Sequence, residues 1–133
     1  SQLLAIRVDG EGDVTDSHVV WKAERQISRN PSPLLADELL FVISDNGIGT
    51  CFDALTGKTH WQQRIGGNYS ASPVLANGHV FVLSHDGTIT AIPVSRHQEP
   101  LITSHAPDEL KASPAIVKSS VILRSGPKLY RIQ

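Results

Sequence analysis

This 133-residue sequence predicts an all-β fold: a β-propeller segment of four-stranded antiparallel blades. Three observations carry the prediction. Trp21 and Trp61 stand 40 residues apart. Ser32-Pro33-Leu34-Leu35 recurs 40 residues on as Ser72-Pro73-Val74-Leu75, and 41 further on as Ser113-Pro114-Ala115-Ile116. Short apolar runs bounded by turn residues fill the chain, and no stretch has useful helical periodicity. A period near 40 built of short strands is that of a radial array in which each repeat is one sheet.

The elements follow in order. Leu3 to Val8 reads as a third strand and His18 to Lys22 as a fourth, so residues 1–27 are the end of one blade. Residues 28–67 form the clearest unit. Ser32 to Ala36 is a short strand, with Pro33 at its start, where the missing N–H costs little. Asp37-Glu38 turns into the continuous apolar run Leu39 to Ile43, expected to be buried on both faces. Asp45-Asn46-Gly47 turns into Ile48 to Phe52. A second turn, Asp53 to Gly57, leads to a fourth strand, Lys58 to Arg64, which carries Trp61.

Residues 68–108 repeat this course. Asn77-Gly78 turns into His79 to Ser84, and His85-Asp86-Gly87 into Thr88 to Ile92. The fourth strand here has decayed: Leu101 sits where the 40-residue period places a Trp, and the Thr-Gly is gone. Residues 109–133 supply three strands of a last blade, including Val121 to Arg124 and Lys128 to Ile132. At the other end, Ala5 aligns with Cys51, 46 residues on, whereas Trp21 and Trp61 are 40 apart, so the loop Asp9 to Ser17 holds an insertion of six.

Composition excludes some functions. Net charge is −1, so no strong attraction to nucleic acid or an anionic membrane is expected. No apolar run approaches the roughly 18 residues that cross a bilayer. The first residues have no basic leader and read into a strand, so any export signal is expected upstream. Cys51 is the only cysteine. It leaves the redox compartment open and reads as a small buried hydrophobe.

The run Cys51-Phe52-Asp53-Ala54-Leu55-Thr56-Gly57-Lys58-Thr59-His60-Trp61 has the form small–x–Asp–x–x–Thr–Gly–x–x–x–Trp. Its chemistry is structural. Asp53 can accept N–H groups across the turn, Thr56 can bond back through its hydroxyl, and Gly57 offers a positive φ. Trp61 can lay an apolar face on the next blade and give its indole N–H to a carbonyl. The same role falls to Trp21. With these residues the chain resembles, over nearly its whole length, the quinoprotein-type (pyrroloquinoline-quinone-like) β-propeller repeat family and its tryptophan-docking motif. Leu3 to Arg7, Gly12 to Thr15 and His18 to Trp21 resemble the C-terminal blades of planctomycete-type members. The resemblance implies a bacterial, periplasmic or extracellular repeat protein. It covers quinone- and calcium-dependent alcohol and glucose dehydrogenases, and also non-catalytic scaffolds that help assemble outer-membrane proteins.

Catalysis finds little support in the residues. The dehydrogenases of this family carry a vicinal disulfide and a cofactor-stacking Trp; this chain has one Cys, and both its Trp residues are taken up by docking. No catalytic residue, cofactor or metal site is therefore expected. Asp9-Gly10-Glu11-Gly12-Asp13 has oxygens at alternate positions, but the twelfth position of a calcium loop would be Val20, not Glu. The six His residues show no metal-site spacing. The Ser residues that repeat before Pro read as structural. Binding is expected on the loops entering each innermost strand, near the channel: Arg29 and Asn30, Asn68 and Tyr69, and Lys111. Tyr69 either presents its ring there or packs between blades. The sequence thus predicts a non-enzymatic scaffold or binding module. Its partners would be the remaining blades of the same polypeptide or a second copy, with protein or peptide ligands on the loops. The alternative is part of a quinone- and calcium-dependent dehydrogenase.

Overall fold

The computed structural model describes residues 1–133. It has thirteen strands and no helix. Four antiparallel sheets follow one another along the chain. The first pairs β1 (Leu3–Ile6) with β2 (Val19–Ala23). The second runs in the order β3 (Leu34–Ala36), β4 (Leu39–Ile43), β5 (Ile48–Asp53) and β6 (Thr59–Arg64). The third repeats it with β7 (Val74–Ala76), β8 (His79–Leu83), β9 (Thr88–Pro93) and β10 (Ile102–His105). The fourth holds β11 (Ala115–Val117), β12 (Ser120–Ser125) and β13 (Lys128–Ile132). These meandering sheets of two to four strands are blades of a partial propeller. β3, β7 and β11 neighbour one another and are the innermost strands.

Register makes the repeats superimposable. Across the second sheet, Leu34 pairs with Phe41, Phe41 with Cys51, and Cys51 with Trp61. In the first sheet Ala5 pairs with Trp21, which equates Ala5 with Cys51 and places the six extra residues between Ala5 and Trp21. In both sheets the register slips beside the Trp, so Val20 and His60 are extra residues of a bulge. A bulge bends the strand and re-aims its side chains.

The third sheet departs from the expectation for Leu101. Val74 pairs with Phe81, Phe81 with Ala91, and Ala91 with Ile102. Ile102, not Leu101, therefore holds the tryptophan position. The stretch from Ala91 to its partner Ile102 is one residue longer than that from Cys51 to Trp61, and the β9–β10 ladder has no bulge. The fourth strand is present but each of its residues is exposed, Ile102 by 62%. Leu101 turns back to pack on the preceding interface.

Only 30 of 133 residues are buried, and they concentrate between blades. The larger cluster joins Phe41, Ile43, Cys51 and Trp61 of the second blade to Val80, Val82 and Ile92 of the third. The smaller one joins Leu83 of the third blade to Leu110 and Leu123 of the fourth. Gly47 and Gly87 close equivalent turns, their N–H groups reaching the carbonyls of Ser44 and Ser84 at 2.9 and 3.0 Å. Gly47 is needed twice over: its φ is +83°, and a Cβ there would lie 2.5 Å from the Gly66 carbonyl. The turns between the first two strands of each blade start at Asp37, Asn77 and Lys118, all at positive φ of 48–55°. Asp and Asn tolerate that region; Lys118 does so at a steric cost.

Candidate functional site

Two sets of residues stand out: those fastening blade to blade, and those lining one rim of the array. In the first set, the turn that precedes one tryptophan receives the tryptophan of the blade before it. Asp53 Oδ1 accepts the N–H groups of Leu55 and Thr56 at 3.1 and 2.9 Å and the Thr56 hydroxyl at 2.9 Å. These bonds, the Thr56 hydroxyl first, hold the Asp53 carboxyl below the usual range. Gly57, at φ +72°, lies directly under the Trp21 indole, where a Cβ would come within 2.6 Å of the ring. Trp21 gives its N–H to the Ala54 carbonyl at 2.9 Å and stacks on Phe52 at 6.0 Å.

Trp61 repeats the device one blade on. Its N–H reaches the Ser95 carbonyl at 3.0 Å, its ring tilts against Phe41 at 6.0 Å, and the residue is 8% exposed. The acceptors Ala54 and Ser95 and the platform Phe52 were not foreseen. Ala54 and Ser95 act through backbone oxygen, which leaves no signature in side-chain pattern.

The repeated serines fasten the innermost strands. The Ser32 N–H donates to Ser72 Oγ at 3.0 Å, and the Ser72 N–H to Ser113 Oγ at 2.8 Å. Their recurrence is thus a ladder from one innermost strand to the next.

The second set lies where the incoming linkers meet the turns between the second and third strands. Three recesses form at equivalent places. One, of about 300 Å³, lies between Arg29 and the turn Ser44-Asp45-Asn46. The next, of about 100 Å³, lies between Gly66, Gly67 and Asp86. The third, of about 250 Å³, is lined by Glu109, Lys111 and Arg124. Each linker is clamped by the turn it crosses. Asp45 accepts the N–H groups of Arg29 and Asn30 at 2.8 and 3.3 Å, and the Asn30 amide at 3.1 Å. Forty residues on, His85 Nε2 meets Ser70 Oγ at 2.8 Å, and the His85 N–H donates to the Asn68 carbonyl at 2.8 Å. Asp45 and His85 were missed as clamps. The signal was available, because Asn30/Asp45 and Ser70/His85 share one repeat register.

Electrostatics differ from recess to recess. Lys111 Nζ lies 2.8 Å from Glu109, and this bond holds the Glu109 carboxyl low. The Thr88 N–H does the same for Asp86. Arg29, Asn30, Asn68 and Lys111 are exposed on this rim. Tyr69 is not. It is 2% exposed, its ring sits in the larger inter-blade cluster, and burial pushes its phenol up to about 12. The pair of glycines before it turns the chain inward and buries the ring, so of the two readings the inter-blade one holds.

The remaining candidates resolve into local structure. Asp13 accepts the Thr15 N–H and hydroxyl at 3.0 and 2.7 Å, an Asx turn, while Asp9 faces Arg7 and His18. No three His, Cys, Asp or Glu side chains converge to hold a metal. Cys51 is fully buried, and burial pushes its thiol up to about 11. A stacked quinone does not fit the residues present: both indoles are engaged between blades, and there is no cysteine pair.

Blades built this way and fastened by tryptophan docking define a quinoprotein-like β-propeller repeat protein. The family described as outer membrane protein assembly factor BamB matches residues 10–99, and the chain belongs to that family. Among curated proteins no sequence matches it. Solved structures share the fold. BamB from Moraxella catarrhalis is 13% identical with a TM-score of 0.54, over 85% of this chain and 48% of that one. A europium-containing methanol dehydrogenase is 19% identical with a TM-score of 0.54, over 80% and 22%. The quinohemoprotein alcohol dehydrogenase from Comamonas testosteroni is 17% identical with a TM-score of 0.56, over 74% and 17%. The chain therefore spans less than half of each of these proteins.

Proposed function

We propose that the chain is a non-catalytic scaffold or binding module, one arc of a larger bacterial propeller working in the periplasm or outside the cell. One observation carries this reading: three recesses recur at the same structural position with different linings. Arg29 and Asp45 line the first, Asp86 the second, and Glu109, Lys111 and Arg124 the third. A repeated frame with changing side chains suits recognition of an extended protein segment, one recess after another. The repeated groups with chemical potential, the serines and tryptophans, are meanwhile spent on fastening blades. The family's description as an assembly factor agrees with protein ligands.

The remaining blades of the same polypeptide, or a second copy, complete the ring in this reading. Light scattering separates the two, since a monomer removes the second copy. Thermal melting with and without pyrroloquinoline quinone and calcium tests the non-catalytic role, because a ligand that binds the native state must stabilise it. An unchanged melting temperature is expected. A rise would replace this reading with part of a quinone-dependent dehydrogenase.

A further inference from the structure

The two inter-blade interfaces that follow the second and third blades are built alike but filled differently. At the first, Trp61 lies among Phe41, Ile43, Val80, Val82 and Ile92, and the space left is about 10 Å³. At the second, Phe81, Leu83, Val121, Leu123 and Ile132 hold the same register positions, and the space left is about 180 Å³. Pro73 and Pro114 close the inner side of each. The largest single change is at the tryptophan position. Ile102 stands in the Trp61 register, is 62% exposed, and does not line the cavity.

We propose that this cavity between the third and fourth blades is a binding site for a small, neutral, planar aromatic molecule of the indole class. The occupant is read from the chain itself, since the equivalent space one blade earlier holds an indole. The chemistry agrees. Seven of the nine lining residues are hydrophobic, and none is charged. An enclosed apolar cavity of about 150 Å³ takes up benzene, and the apolar lining here favours the same kind of occupant. Ser104 is the one hydroxyl-bearing residue on the wall, which leaves an N–H of the occupant a polar partner to reach. This site is separate from the three rim recesses and does not depend on what they bind.

The probe is indole, titrated into the whole chain with methyl NMR and thermal melting as readouts. Saturable shifts are expected at the methyls of Leu83, Val121 and Leu123, with Val80 and Val82 unmoved, and the melting temperature should rise. Benzoate, which matches in shape but carries charge, should do neither. Ile102→Trp delivers the ring covalently: melting should rise without ligand, and indole affinity should fall at least tenfold. If that variant does not fold, the methyl map of the unaltered chain decides. No saturable shift up to the solubility of indole overturns the proposal. So does equal binding by folded Ile102→Trp, and so does a response only to a tryptophan-bearing peptide, which would make the cavity a seat for a partner's side chain.

Discussion

The backbone N–H of Ser32 donates to the hydroxyl of Ser72 across 3.0 Å, joining two blades at their innermost strands. The next rung, from Ser72 to Ser113, is 2.8 Å. Replacing Ser72 by Ala removes the acceptor and strands the Ser32 N–H. Because Ser32 is exposed and water can compensate, the expected loss is about 1 kcal/mol, read by urea denaturation. Ser72→Thr keeps the hydroxyl and should recover most of it.

Trp61 should matter more than Trp21. Trp61 is buried and central to the larger cluster, whereas Trp21 is half-buried on the turn at Gly57. Trp61→Ala is expected to cost about 3–5 kcal/mol, the usual range for a buried large aromatic. Trp21→Ala should cost clearly less. Chemical denaturation of the two variants compares them, and equal losses would contradict the packing described.

Lys118 is the one member of its turn set with a side chain unsuited to positive φ, at +55°. Lys118→Gly should stabilise the chain by about 0.5–1 kcal/mol, and Lys118→Asn by somewhat less. Gly47→Ala is the opposite control, since it meets both the conformational penalty and the Gly66 carbonyl. Melting temperatures give the signs directly.

Cys51 should be silent until the fold opens. It is fully buried, and its thiol is pushed up to about 11, so little thiolate forms near pH 8. Labelling with a thiol reagent is expected only in denaturant. Rapid labelling of the native chain would show that the second and third blades separate readily.

Asp53 links the tryptophan seat to pH. Its folded carboxyl is held below its ordinary value, first by the Thr56 hydroxyl and then by the Thr56 N–H. A lowered pKa contributes stability that is complete above the unfolded value, near 3.9, and is lost as pH falls through the lower folded value. Melting temperature should therefore fall below about pH 4, and Asp53→Asn should flatten part of that fall. Asp86 and Glu109 titrate in the same direction, so the variant removes only its own share.

The period, the blade order and the six-residue insertion were readable because turn glycines, apolar runs and tryptophans mark register in side-chain type. The Leu101 expectation failed because counting by 40 assumes a constant connection, and the stretch from Ala91 to Ile102 is one residue longer than that from Cys51 to Trp61. The clamps of Asp45 and His85 were harder to see, since a carboxylate and an imidazole do the same task at equivalent positions. Tyr69 stayed open because a glycine pair permits either direction of the ring; the packing against Val80 and Val82 decides it.

The serine rungs and the tryptophan bonds all run the same way along the chain. Ser32 reaches Ser72, Ser72 reaches Ser113, Trp21 reaches Ala54, and Trp61 reaches Ser95. Each blade is thus locked by residues that leave the ribosome after it. A nascent chain ending before Ser72 holds a second blade whose indole and inner strand have nothing to grip. The bonds that fasten each blade to its neighbour can form only once that later neighbour has been made.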